Sequence, residues 1–246
     1  MKLKAIICSL LFVFLISPIL YYNSLSTRSL VVKNIFYITN KEGNSGGTGF
    51  LLNYKGRQVI ITNRHVCKGI MKDNKVVVKS DDKTMWEAEV EEISTKYDLC
   101  KVKVPQQLKA WGLYLANKAP VAGEKVYIFG HPLLLPLAES KGEFLEEKIA
   151  GVMSDLPPAQ CVGPNFELVQ ILFWQLCIEK MLAMHTNIMI QPGNSGSPVT
   201  DKHGGVIGVA FASYSDLSWA SVVPVRFLQE FLDSGGAKDG QKSTNM

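Results

Sequence analysis

The chain has little of what a metal protein or a nucleic-acid binder needs. Four histidines and five cysteines are spread over its 246 residues, and no Cys-x-x-Cys pair or clustered His and Cys spacing of a zinc site occurs among them. Charge of one sign is also lacking, since 26 basic and 22 acidic side chains leave a formal net charge of +4. The densest basic run (Lys68, Lys72, Lys75, Lys79 and Lys83) has acids nearby and no interleaved aromatics. It reads as a solvated face, and no nucleic-acid partner is expected. No internal repeat is evident, which sets aside solenoid and propeller architectures.

What is present begins with a targeting pattern. Lys2 and Lys4 precede an almost wholly apolar run, residues 5–20, whose length lies between a signal-peptide core and a short membrane span. Ser24, Leu25 and Ser26 suit signal-peptidase cleavage, whereas Tyr21 and Tyr22 equally suit the membrane interface of an uncleaved anchor. Residues 1–26 are therefore expected to be a signal peptide or a membrane anchor. Either places the remainder outside the cytoplasm: periplasmic, extracellular or anchored with its folded part outside. Cys8 lies in that leader, leaving Cys67, Cys100, Cys161 and Cys177, an even number that permits three pairings.

The body of the chain is a succession of short runs rich in β-branched residues and separated by turn signals. The first six cover residues 31–38, 46–52, 57–62, 74–79, 85–93 and 98–104. After a connection at 105–120 come 124–130, 148–153, 185–190, 197–200, 204–213 and 218–223. Residues 225, 228, 231 and 232 are apolar at helical spacing behind Pro224, so a short helix is expected there. The tail, 234–246, reads as disordered. The fold class is all-β.

The chemistry concentrates in Gln191-Pro192-Gly193-Asn194-Ser195-Gly196-Ser197-Pro198, which sets a serine between two glycines directly after a strand-like run. Asn63-Arg64-His65-Val66 and Tyr97-Asp98-Leu99 lie upstream, giving the order histidine, aspartate, serine. A serine hydroxyl is a poor nucleophile at neutral pH and needs a base beside it. Of the five aspartates between His65 and Ser195, only Asp98 begins a strand-like run; Asp81 and Asp82 sit in a polar turn.

With these patches in this order, the chain resembles the trypsin-like serine peptidases over roughly residues 31–231. In motif style it is most similar to bacterial HtrA-type domains that lack PDZ. The resemblance implies two six-stranded Greek-key barrels with a short C-terminal helix: residues 31–104, then 121–233 with an insertion at 155–183. It also implies that His65 takes the proton of Ser195, that Asp98 orients His65, and that the N–H groups of Gly193 and Ser195 form an oxyanion hole. The implied activity is hydrolysis of peptide bonds in a protein or peptide substrate through an acyl-enzyme, with no metal or cofactor. The implied primary pocket is lined by Met189, Phe211, Ala212 and Ser213. It holds no acid and no histidine, so cleavage after an apolar residue is expected.

Several departures qualify the resemblance. Asn194 stands where digestive relatives carry an aspartate that pairs with a newly cut N-terminus, so that activation route is not expected. Ser197 replaces the usual second glycine after the nucleophile. Too few residues follow the last helix for a PDZ domain, and no PDZ-mediated partner is expected. Cys67 and Cys100 each lie two residues beyond a proposed catalytic residue, as a disulfide or as buried thiols. Residues 155–183 read either as a cap over the cleft, clipped by Cys161 and Cys177, or as an apolar helix or strand pair packed on the second barrel. His131 reads as a plain turn residue.

Two other functions compete. The same fold, silent or latent, could serve as a membrane-tethered protein-binding module; three retained triad residues argue against it. An α/β-hydrolase esterase needs glycines two before and two after its serine. Ser197 breaks that pattern, and the β-rich first half does not suit a parallel sheet.

Overall fold

The computed structural model describes residues 27–154, 158–171, 174–211 and 220–234. The expected leader, residues 1–26, and nearly all of the expected tail, residues 235–246, lie outside these. The first half alternates in the way a half-buried strand must. In Met85–Ile93, Ala88 and Val90 are buried, while Glu87 and Glu89 face solvent and pair across strands with Lys75 and Lys103. Six strands form there: β1 (Ile35–Thr39), β2 (Gly46–Tyr54), β3 (Arg57–Thr62), β4 (Lys75–Lys79), β5 (Met85–Ile93) and β6 (Cys100–Val102). They close into a barrel in the order β1-β2-β3-β6-β5-β4. The β2–β3 hairpin turns on Lys55 and Gly56, both at positive φ (50° and 79°), as a tight two-residue turn demands.

The first barrel differs from expectation at its entrance. Residues 27–32 are helical (α1), and the strand begins only at Ile35. Asn34 is the reason: its amide donates back to the Leu30 carbonyl at 2.8 Å and accepts from Gly112 N–H at 2.9 Å. That side chain competes with the strand ladder and turns the chain instead. Between β3 and β4, a seven-residue helix, α2 (Arg64–Ile70), carries His65.

The second half contains β7 (Lys125–Gly130), β8 (Ala138–Met153), β9 (Phe166–Ile171), β10 (Trp174–Thr186), β11 (Pro198–Thr200), β12 (Val206–Phe211) and β13 (Ser221–Pro224). A ten-residue helix, α3 (Val225–Ser234), follows. The sheet order is β13-β12-β11-β7-β8-β10-β9, and an added β10–β13 pairing through Met184↔Val222 and His185↔Ser221 joins six of these strands into a ring. The protein is thus an all-β double barrel with a short C-terminal helix. Among the described residues, β9 stands outside the ring as a seventh strand, paired to β10.

Within the expected insertion, β9 and β10 are a strand pair that extends the second sheet. A Cys161–Cys177 disulfide ties the loop before β9 to β10 (Cα–Cα 5.5 Å). β8 and β10 run further than the apolar pattern indicated, beginning at 138 and 174 rather than at 148 and 185. Their added lengths pair with β7 and β9, and that of β10 also buries Cys177, Ile178, Met181, Ala183 and Met184. α3 returns to the first barrel, where Phe227 stacks on Tyr97 at 4.6 Å between centroids. Tyr97 precedes Asp98, so this contact buttresses the site.

Candidate active site

His65 lies in the first turn of α2, directly after β3, and Asp98 lies just before β6. The carboxylate of Asp98 is fully buried and meets His65 twice. One oxygen accepts the His65 backbone N–H at 3.0 Å, and the other faces ring Nδ1 at 2.7 Å. Asn63, at the start of α2, spends its side chain on the Asp98 carbonyl at 2.9 Å rather than capping the helix. The amide of His65, second in the helix, therefore finds its partner in the Asp98 carboxylate. Beyond the site, a Cys67–Cys100 disulfide (S–S 2.03 Å) joins α2 to β6. The cysteines the sequence left as disulfide or thiols are bonded, and the cross-link brackets the His65–Asp98 pair.

The electrostatics of the pair follow from that geometry. Burial works to lower the His65 pKa, but the charge and hydrogen bond of Asp98 together outweigh it. The net shift is upward from 6.5. For Asp98, burial works upward and is outweighed by the His65 charge and by hydrogen bonds from His65, so its pKa is lowered. Asp98 stays an anion while His65 titrates.

Ser195 comes from the other barrel, in the turn before β11, and is 9% exposed. This turn presses on the start of β2. Thr48 N–H donates to the Ser195 carbonyl at 2.8 Å. A Cβ on Gly47 would lie 2.7 Å from that oxygen and 2.9 Å from Val66, the neighbour of His65. Gly196 (φ 88°) approaches Thr48 and Thr62 so closely that a Cβ would fall 2.0 Å from the Thr48 carbonyl. Bare backbone at Gly47 and Gly196 is therefore what lets the serine turn reach the α2 side of the first barrel. In this conformation no hydrogen bond joins the His65 ring to Ser195, among the described residues.

The N–H groups of the turn divide in two. Those of Asn194, Gly196 and Ser197 donate to the carbonyls of Gln191, Ala210 and Asn194 at 3.0, 2.9 and 3.0 Å. Those of Gly193 and Ser195 have no protein acceptor among the described residues. Gly193 has φ 96°, and a Cβ there would strike the His131 carbonyl at 2.3 Å. Ser197, two residues after Ser195, is accommodated because Gly130 faces it; a Cβ on Gly130 would lie 2.0 Å from the Ser197 hydroxyl.

The expected pocket residues are not brought together. Met189 is 73% exposed and Phe211 is fully buried in the hydrophobic core with Val209 and Val223. Phe211 thus packs the barrel interior in this structure. Ala212 and Ser213 fall outside the described residues.

Two neighbours escaped the sequence. His131, read from the sequence as a turn residue, is fully buried, stacked on Tyr37 at 3.4 Å, and pushed down to about pKa 4 by burial, so it is neutral. Arg64, beside His65, is buried against Glu179 of β10, an ion pair that crosses from α2 to the outer hairpin. A cleft of about 380 Å³ lies beside this pair, lined by Arg64, Lys68, Ser94, Thr95, Phe166 and Glu179 from both barrels. Nothing in local sequence announces a partner 115 residues away. For His131 the hint was its position directly after an apolar strand.

A family model described as the trypsin-like peptidase domain matches residues 47–209, and the chain belongs to that family. It is similar to mouse serine protease HTRA4, 26% identical over 199 residues, which are 80% of this chain and 36% of that protein. The chain spans about a quarter to about a third of the length of the curated relatives it matches. Among solved structures it is similar to the Rv3671c protease of M. tuberculosis in an inactive form, with TM-score 0.63 and 20% identity, covering 86% of this chain and 93% of that one. The serine endoprotease from Yersinia pestis aligns with TM-score 0.62 at 18% identity, over 86% of this chain and 66% of its own. At these identities the structural likenesses establish the double-barrel fold.

Proposed function

We propose that this chain is an exported serine endopeptidase in which Ser195 attacks the peptide carbonyl, His65 takes and returns the proton, and Asp98 orients and stabilises the imidazolium. The observation that carries the reading is the pairing of a buried Asp98 with Nδ1 of His65 at 2.7 Å, which leaves the other ring nitrogen as the base. The acceptor-free N–H groups of Gly193 and Ser195 support their assignment as the oxyanion donors. The mechanism asks nothing of a metal or cofactor. Ser195 forms an ester with the acyl half of the substrate, the amine leaves with the proton from His65, and water then enters by the reverse route.

Export is supported by the basic-then-apolar start of the chain and by two disulfides, which persist in oxidising compartments. Preference for an apolar residue before the cut bond is read from the sequence alone, in which residues 188–189 and 210–213 offer no acid and no histidine. A latent resting state is the second reading. What favours it is the missing His65–Ser195 hydrogen bond together with the small exposure of Ser195.

A fluorophosphonate probe on the purified full chain separates these readings. Labelling that vanishes in both Ser195→Ala and His65→Ala is the expected result. No labelling of folded wild type would exclude a working triad in the isolated chain and leave the latent form or a binding module.

A further inference from the structure

Gly193 poses a mechanical problem for the peptidase reading, on which this inference rests. Its φ of 96° is open to glycine, and glycine is also the residue most free to leave it. Something outside the turn has to hold the peptides that aim the two oxyanion donors. We propose that Thr48, on β2 of the opposite barrel, is that positioning residue.

Its hydroxyl is fully buried and bonded on both sides. His131 N–H donates to Oγ1 at 2.9 Å, so the hydroxyl proton is left for the Gly193 carbonyl, 2.7 Å away. The backbone N–H of the same residue donates to the Ser195 carbonyl at 2.8 Å. Thr48 thus grips the turn at both residues whose N–H groups would bind the oxyanion.

Peptide planarity carries this grip to the donors. The Gly193 N–H shares a peptide with the Pro192 carbonyl, which accepts from Leu133 N–H at 2.6 Å. The Ser195 N–H shares a peptide with the Asn194 carbonyl, which accepts from Ser197 N–H at 3.0 Å. The intervening peptide, bearing the Gly193 carbonyl, is held by the Thr48 hydroxyl. Three consecutive peptides are fixed; the middle one has its N–H on the Gln191 carbonyl at 3.0 Å, and its carbonyl depends on the Thr48 side chain. A hydroxyl is required because one neighbour only donates and the other only accepts. Valine matches the shape and satisfies neither, leaving two buried backbone groups unpaired.

The test compares Thr48→Val with Thr48→Ser in the full chain, using a chromogenic peptide substrate and a peptidyl boronate as transition-state analogue. In T48V, kcat should fall about 10- to 100-fold with KM within about threefold, and boronate affinity should fall in parallel with kcat/KM. T48S should stay within about threefold of wild type on every readout, since it keeps the hydroxyl. Wild-type kcat and boronate affinity in T48V would overturn the proposal. Equal losses in T48V and T48S would also overturn it, pointing to packing by the methyl group. Should T48V fail to fold, Thr48→Ala takes its place. Should wild type itself be inactive, the peptidase reading fails separately, and crystal structures decide the positional claim. A Gly193–Asn194 peptide with the same orientation in T48V as in wild type would then refute it.

Discussion

The two halves of the site are built in opposite ways. The first-barrel half carries its central ties within one barrel: His65 and Asp98 are 33 residues apart, meet through two hydrogen bonds, and are bracketed by the Cys67–Cys100 disulfide, with Phe227 and Glu179 supporting it from outside. The second-barrel half is a glycine-bearing turn whose own contacts are few, and whose carbonyls are held by Thr48 from β2 and by Leu133 from the turn after β7. The proposed base and its orienter, His65 and Asp98, take their contacts with each other from one barrel. The turn of the proposed nucleophile, Ser195, takes part of its geometry from the other barrel, through Thr48. In such an arrangement activity is sensitive to the interface, whereas the charge state of the base is not.

Breaking the comparison at its centre gives the largest effects. Ser195→Ala should lower kcat/KM by roughly a million-fold, as for other triad nucleophiles, without loss of fold in circular dichroism. Asp98→Asn removes the orienter from the first-barrel half and should cost about ten-thousand-fold in kcat. Retention of more than a tenth of the wild-type rate in either variant would contradict the assignment.

The structural ties should follow in order of size. Replacing Cys67 and Cys100 together by alanine should lower stability by about 2–4 kcal/mol in urea unfolding, because the cross-link closes a long loop. Glu179→Gln should cost up to about 3 kcal/mol, since it leaves Arg64 charged and buried without its partner. A double change of Arg64 to methionine and Glu179 to leucine should recover most of that loss. If E179Q is as stable as wild type, the α2–hairpin tie has no energetic weight.

How much of this was legible beforehand differs by the range of the contact. Strand rhythm marked β2, β3, β5, β7 and β12 because alternation and turn signals are local. It missed the first ten residues of β8, which are mostly polar and paired to β7 and β10, and it read residues 31–34 as strand where Asn34 ends a helix. The His65, Asp98 and Ser195 patches stood out through their order and flanking residues. Thr48 and Glu179 did not, for each acts through a partner more than 100 residues away. The Gly46-Gly47-Thr48-Gly49 stretch did carry a clue, since glycines inside a strand mark a close backbone approach. Met189 and Phe211 were chosen by position alone, and side-chain direction placed one in solvent and the other in the core.

The most direct test of the central claim is the pH dependence of Ser195 phosphonylation, followed by intact mass and peptide mapping in wild type and Asp98→Asn. His65 must be neutral to act as base, and Asp98 raises its pKa from 6.5. The wild-type rate should therefore rise with pH through a midpoint above 6.5, be lost below it, and map to Ser195. In D98N the rate should be far lower and its midpoint shifted downward. A rate that does not change with pH, or a midpoint equal in both proteins, would contradict an Asp98-supported His65 base.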